Sequence, residues 1–338
     1  MAKRDEDIER ITFSPQHAGR LAVEMVGDNR AHVGEGLRIG IPLIDKTMVP
    51  FRAGQLVTVL AYTSQYKSGF MNWLAKQAVK SIQGEEKKIV VKVTWEQSVE
   101  EDTLSWLASD ADISITKMAR GTLDEAEWKL LVGASMRRAV TPLWVVGHSQ
   151  VEYKSLRKAR PRMTMRDVAR AMEFIIHDAT AEILSPALVV LDYLQRIRAD
   201  PEDGENRRVQ MMEAVNLSKD LGIAYGCPVV LGVQTSRSEQ DRNDKIPQLN
   251  DGQETSNIEQ SSDISFGLWY PIRTEPLMTG GKPTMIGGYM VTKNLLFCRL
   301  LKQKLGEASI TYALFVDPEK NEIHAMEKPD ESRRSQSQ

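Results

Sequence analysis

The segment Ala187-Leu188-Val189-Val190-Leu191-Asp192-Tyr193-Leu194-Gln195 constrains the fold more than any other stretch of this chain. Its unbroken apolar run leaves no polar face, so it reads as a strand buried on both sides, the kind found in parallel sheets covered by helices. Open sheets of that type bind ligands beyond the carboxyl ends of their strands, which is where Asp192 stands. An acid there can serve a metal, a phosphate or a water, and it can equally close a turn.

Comparable runs recur at Leu56 to Ala61, Lys88 to Val93, Leu143 to Val146, Pro228 to Val233 and Ile264 to Trp269. Helical patterns lie between them, at Gly69 to Gln83, Val99 to Ala108, Leu123 to Val132, Met165 to Ile183 and Arg207 to Leu221. This alternation predicts an α/β fold, a mostly parallel central sheet flanked by helices, starting near Leu37. Thr164 is placed to cap the fourth of these helices, with Val168, Ala171, Met172 and Ile175 on one face. Residues 1–35 are charged and read as an arm or linker, in which Pro15 to Val26 can form one short amphipathic helix. Residues 36–327 then make one domain, and the polar tail 328–338 is expected to be disordered. Arg237 to Gln260 and Thr274 to Gly288 read as long loops, which in a compact domain usually carry function.

Composition excludes little beyond the membrane. The chain has 338 residues and 41% hydrophobic content, enough for a sizeable core. No apolar run approaches the roughly 18 residues of a spanning helix, and the charged start Met1-Ala2-Lys3-Arg4-Asp5-Glu6-Asp7 does not look like a leader. Cys227 and Cys298 sit in apolar segments without metal-type spacing, as expected of reduced core residues in a cytoplasmic protein. The net charge of -2 leaves a nucleic-acid partner open, because a basic channel can coexist with an acidic exterior.

The chemistry-bearing residues sit at strand ends. The first strand runs into Ala61-Tyr62-Thr63-Ser64-Gln65-Tyr66-Lys67-Ser68, and a helix follows. That is the layout of a phosphate-binding loop, in which backbone N–H groups cradle phosphates, the lysine neutralises them and the hydroxyl meets magnesium. Ala61 and Tyr66 replace the two glycines of the usual pattern, so the loop departs from it where backbone freedom is most used. A surface lysine opening a helix has the same local look. The second strand ends in Thr94-Trp95-Glu96, where a carboxylate can polarise water or sit at a helix start. The fourth delivers Asp192, and the fifth ends in Gln234, an amide suited to sensing a terminal phosphate. Lysine with serine, glutamate, aspartate and glutamine at four strand ends together point to a nucleotide site.

Asp192-Tyr193-Leu194-Gln195 behind its apolar strand resembles the Walker B segment of replicative helicases of the DnaB family, whose core is RecA-like. Gly121 to Trp128 resembles that family's stretch after its second core helix, and Pro228 to Gln234 with Lys245-Ile246-Pro247 its fifth strand and following loop. Asp251 to Asp263 is similar to its DNA-facing channel loop, and Lys302-Gln303-Lys304 with Gly306 to a late strand reaching a neighbour's nucleotide.

The resemblance implies a RecA-like P-loop NTPase core that works as an ATP-dependent helicase on single-stranded DNA. The partners it implies are copies of the chain in a ring, usually six, with a primase or helicase loader. ATP would be held by Ser64, Gln65, Tyr66, Lys67, Ser68, Asp192 and Lys302, and Mg2+ by Ser68 and Asp192. Glu96, Gln234 and Lys304 would act in catalysis. Arg237, Arg242, Lys245, Glu254, Ser256 and Asn257 would meet DNA. Lys304 stands where the family carries an arginine finger, and a lysine lacks the planar fork that grips phosphate at two points. A scaffold with weak or lost turnover, regulating a helicase or binding DNA, is the other reading of the same residues.

Overall fold

The computed structural model describes residues 13–31, 36–152, 163–198, 206–235, 244–249, 251 and 256–326. Arg237, Arg242, Glu254 and the tail 328–338 lie outside them. The chain divides into two compact units, Met1–Gly36 and Leu37–Gln338. In the first, helix α1 (Pro15–Ala31) runs five residues past the sequence expectation and carries the ion pair Arg20–Glu24 at i,i+4.

The second unit is built on one nine-stranded sheet. Its strands are β1 (Leu56–Ala61), β2 (Lys88–Thr94), β3 (Leu143–Val146), β4 (Ser185–Asp192), β5 (Val229–Gln234), β6 (Ile264–Trp269), β7 (Leu295–Gln303), β8 (Ile310–Asp317) and β9 (Glu322–Ala325). They lie in the order β9-β8-β7-β6-β1-β5-β4-β2-β3. From β6 to β3 every pairing is parallel, whereas β7, β8 and β9 add to the β6 side antiparallel. The helices needed here are α2 (Lys67–Ser81), α3 (Val99–Ala111), α4 (Glu125–Ala139), α5 (Met165–Glu173) and α6 (Arg207–Tyr225).

Period-two geometry sends alternate residues of each central strand to opposite faces. Val57, Val59 and Ala61 of β1 join Phe70, Met71 and Leu74 of α2 in one core. Leu56 and Leu60 join a second, with Val168 and Met172 of α5 and Met211 and Val215 of α6. Both faces of β1 are therefore dry, as the continuous apolar pattern requires. The one polar residue of β1, Thr58, hydrogen-bonds the Ser265 hydroxyl at 2.8 Å, which satisfies it inside the sheet.

Ser98, Asp124 and Thr164 start α3, α4 and α5 with capping boxes closed by Glu101, Glu127 and Asp167. Helix α4 starts two residues after, and ends seven residues beyond, the stretch read from sequence. Helix α5 stops short of its expected end: a π-helical turn takes Phe174–Asp178 and β4 begins at Ser185. The expected loop to Gln260 contains a helix over Ser256–Ser261, and Thr274 to Gly288 holds short antiparallel pairings rather than an irregular loop. Among the described residues no helix is long and apolar enough to cross a membrane.

Candidate nucleotide site

Parallel pairing aligns the carboxyl ends of β1, β5, β4 and β2, and the polar residues that follow those strands meet there. Ala61 is opposite Gln234 in register, and Thr94 opposite Asp192. Around them lies a cavity of about 370 Å³, bounded by the loop Tyr62–Gly69, Glu96, Tyr193, Gln234, Tyr270, Arg273 and Pro318.

The loop turns through two left-handed residues, Ser64 and Tyr66, each at φ 64°. Tyr66 is the residue before α2, and no side chain caps that helix. Its first N–H groups accordingly face the loop without the usual oxygen acceptor of a cap. A left-handed tyrosine is strained by ~1 kcal/mol or more, so the surroundings must hold it. They do so through its ring and its hydroxyl. The ring lies over Gly69, packs 5.7 Å from Tyr270, and its hydroxyl donates to Asn321 Oδ1 at 3.2 Å. Burial pushes the Tyr66 phenol above its ordinary range. Gln65 is fully buried, and its Oε1 accepts from the Tyr270 backbone N–H.

Lys67 and Asp192 form a buried pair, Nζ to Oδ1 3.2 Å. The amine also lies 3.5 Å from the centre of the Tyr193 ring. Burial pushes the Lys67 amine down, although Asp192 opposes it. The Asp192 carboxyl would rise on burial, but Lys67, Lys92 and a hydrogen bond from Ser68 hold it below the usual range. Glu96 stands at the exposed mouth, 3.7 Å from Arg196. Gln234 donates from Nε2 to Thr63 Oγ1 at 2.8 Å.

Two roles were not visible in the sequence. Gln195 holds the end of β5 at both backbone groups: its Oε1 accepts from Gln234 N–H at 2.9 Å and its Nε2 donates to the Gln234 carbonyl at 2.7 Å. Lys92, fully buried in β2, bonds Asn72 of α2 and Asp102 of α3. A lysine within an apolar strand signals such a partner, since an unpaired buried charge is costly.

The remaining expected residues fall elsewhere. Lys302 and Lys304 lie at the opposite edge of the sheet, because Gln303 registers with Ile264, the first residue of β6. Lys302 donates to the carbonyls of Glu259 and Ser262, and Lys304 lies 3.4 Å from Asp263, which Lys219 also binds. With Asn216 and Gln260 they border a cleft of about 550 Å³. Lys245 is half-buried in a segment whose Ile246 packs on Trp269 and Phe297. Ser256 and Asn257 open the helix that ends at Ser261.

The donor set at the β1 edge fits a magnesium-bound polyphosphate: an uncapped helix start, a buried amine, and a hydroxyl already bonded to a carboxylate. Among the described residues no group of three or more histidine, cysteine or acidic side chains could hold a metal alone, so the phosphate would have to complete the coordination.

Comparison with known proteins gives the family and the fold. Residues 36–275 match the family model for the DnaB-like helicase C terminal domain. The replicative DNA helicase DnaB of Pasteurella multocida is 26% identical over 250 residues, covering 73% of this chain and 49% of that protein. DnaB of Geobacillus stearothermophilus is 23% identical over 247 residues, covering 73% of this chain and 50% of that protein. The chain thus spans about half the length of the curated relatives it matches. Among solved structures, the ATPase domain of G40P superposes with a TM-score of 0.73 at 17% identity, covering 91% of this chain and 98% of that one. A DnaB-like replicative helicase described with its primase interactions gives 0.71 at 18% identity, covering 94% of this chain and 68% of that one. The fold is that of the RecA-like ATPase domains, and the chain belongs to the DnaB-like helicase C-terminal domain family.

Proposed function

We propose that this chain is the ATP-hydrolysing motor of a replicative DNA helicase, moving along single-stranded DNA as a ring of copies, six in the family pattern. The observation that carries the reading is that Lys67, Ser68, Glu96 and Gln234 line one cavity at the carboxyl ends of the strands, with Asp192 paired to Lys67 behind them. Bound Mg-ATP would supply the scissile phosphate bond and a divalent charge. Lys67, released from Asp192, neutralises phosphate, while Ser68 and Asp192 hold the cation. Ser64, Gln65 and Tyr66 shape the loop that approaches the phosphates. Glu96, at the solvent-open mouth of the cavity beside Arg196, takes a proton from the attacking water. Gln234 hydrogen-bonds the outermost phosphate, and Gln195 keeps that strand end in register with Asp192.

Lys302 and Lys304 sit on the far edge of the sheet from this cavity. That placement suits a head-to-tail ring, in which one copy's far edge meets the next copy's cavity and closes a cycle. Lys304 then adds positive charge across the interface. The segment carrying Arg237, Arg242, Lys245, Glu254, Ser256 and Asn257 follows Gln234 directly and would track DNA phosphates. A primase or loader would join the assembly in the cytoplasm.

One observation favours a second reading, an oligomeric DNA-binding or helicase-regulating factor with little turnover: Lys67 and Asp192 already satisfy each other beneath a tyrosine-bearing loop. Phosphate release with and without single-stranded DNA separates the two. The motor predicts DNA-stimulated turnover that falls by roughly 100-fold or more in Glu96→Gln. DNA binding without turnover would establish the factor instead.

A further inference from the structure

The cavity straddles β1, and its two sides differ in chemistry. On the side of β5, β4 and β2 stand Gln234, Tyr193 and Glu96, with Asp192 bonded to Lys67 behind them. Beyond β6 and β8 stand Tyr270, Arg273 and Pro318. Tyr66 belongs to the second group, since its ring packs with Tyr270 and its hydroxyl reaches Asn321 in the turn between β8 and β9. Groups suited to phosphate, magnesium and water therefore lie on one side of the central strand, and the Tyr66 and Tyr270 rings, with the Arg273 guanidinium 6.0 Å from the centre of the Tyr270 ring, on the other.

A nucleoside triphosphate has the same polarity, with phosphates at one end and a flat aromatic base at the other. We propose that Tyr66 is a nucleobase platform: together with Tyr270 it receives the base face of a bound nucleoside triphosphate. The phosphates then extend across the end of β1 toward Asp192 and Glu96. This rests on the nucleotide reading of the cavity and adds which residue recognises the nucleoside.

Three features make Tyr66 fit for the task. Its backbone takes a torsion that glycine adopts without strain, so the side chain is retained at a conformational cost. Gly69 leaves the space the ring needs, since a Cβ there would stand 2.6 Å from Tyr66 Cζ. The hydroxyl bond to buried Asn321 fixes the ring, so a base would meet an ordered surface. Stacking on a ring reads the face that every base has, and truncating such a ring typically weakens binding by on the order of 10-fold.

The test is equilibrium binding of ATP and of inorganic tripolyphosphate, each with Mg2+, to the full chain and to Tyr66→Leu, Tyr66→Gly and Tyr66→Phe. The platform predicts that the wild type binds ATP on the order of 10-fold more tightly than tripolyphosphate. Tyr66→Leu and Tyr66→Gly should lose that preference, the ratio of ATP to tripolyphosphate affinity falling toward one whatever the change in phosphate affinity itself, and Tyr66→Phe should keep it. Glycine suits the left-handed backbone, so Tyr66→Gly remains informative if Tyr66→Leu does not fold. Equal losses for both ligands, or an ATP preference that survives removal of the ring, would overturn the platform and leave the phosphate site standing. Binding of neither ligand to the wild type would overturn both.

Discussion

Tyr66 and Gly69 are matched: the tyrosine ring fills the space that a side chain at position 69 would take, 2.6 Å from Cζ to an added Cβ. The phosphate-loop glycine missing at position 66 thus has a counterpart one helical turn on. Without it the tyrosine would clash with the first turn of α2.

Gly69→Ala should therefore destabilise the chain by about 1–3 kcal/mol, the usual cost of overpacking. The ring cannot swing clear without giving up Asn321 and Tyr270. In the Tyr66→Gly background the sign should reverse, because alanine is favoured over glycine inside a helix by up to ~1 kcal/mol. Denaturant unfolding of the wild type and the three variants of this cycle checks it, and additive effects would show that the two residues do not meet.

Lys67→Met leaves Asp192 buried without its nearest cation, and should cost about 3 kcal/mol of stability. Adding Asp192→Asn should restore much of that loss, since the carboxylate is then gone, yet nucleotide binding should stay absent. Stability and binding measured on the same proteins would separate the structural part of this pair from the functional part.

Gln195 acts on Gln234 through its backbone alone. Gln195→Ala frees one N–H and one carbonyl of a half-buried strand end, at a cost of about 1–2 kcal/mol. If the strand end relays phosphate state to DNA, stimulation of turnover by single-stranded DNA should fall more than basal turnover does.

Glu100 offers a pH-dependent test of the frame around the site. Burial would raise its carboxyl, but Ser149, together with the Gln150 and Val151 N–H groups, takes it down to about 2. A folded value below the ordinary 4.5 stabilises the fold fully above pH 4.5, and that share is lost as pH falls toward 2. Glu100→Gln should flatten the acid limb of stability in this window and leave its slope near neutrality unchanged. Urea midpoints measured across the range would show it.

The central sheet was legible because β1, β2, β4, β5 and β6 are buried on both faces and so spell continuous apolar runs. The strands β7, β8 and β9 are antiparallel additions with mixed exposure, and Leu295–Gln303 shows neither a clean alternation nor a turn signal within it. Lys302 and Lys304 drew notice only through a family resemblance. At the site, Lys67, Ser68, Glu96, Asp192 and Gln234 could be read because strand ends gather ligand-binding groups. The Gln195–Gln234 clasp could not, because it joins backbone to side chain across 39 positions. Nor could the placement of the Tyr66 ring, which depends on Tyr270 and Asn321, both more than two hundred residues away in sequence.

Calorimetric titration of Mg-ATP into the wild-type chain and Lys67→Met tests the central claim most directly, that the loop at Ala61 to Ser68 holds nucleotide phosphate despite Tyr66. Saturable binding to the wild type that is lost in Lys67→Met is the predicted result. No binding to the wild type, or equal binding to both proteins, would contradict it.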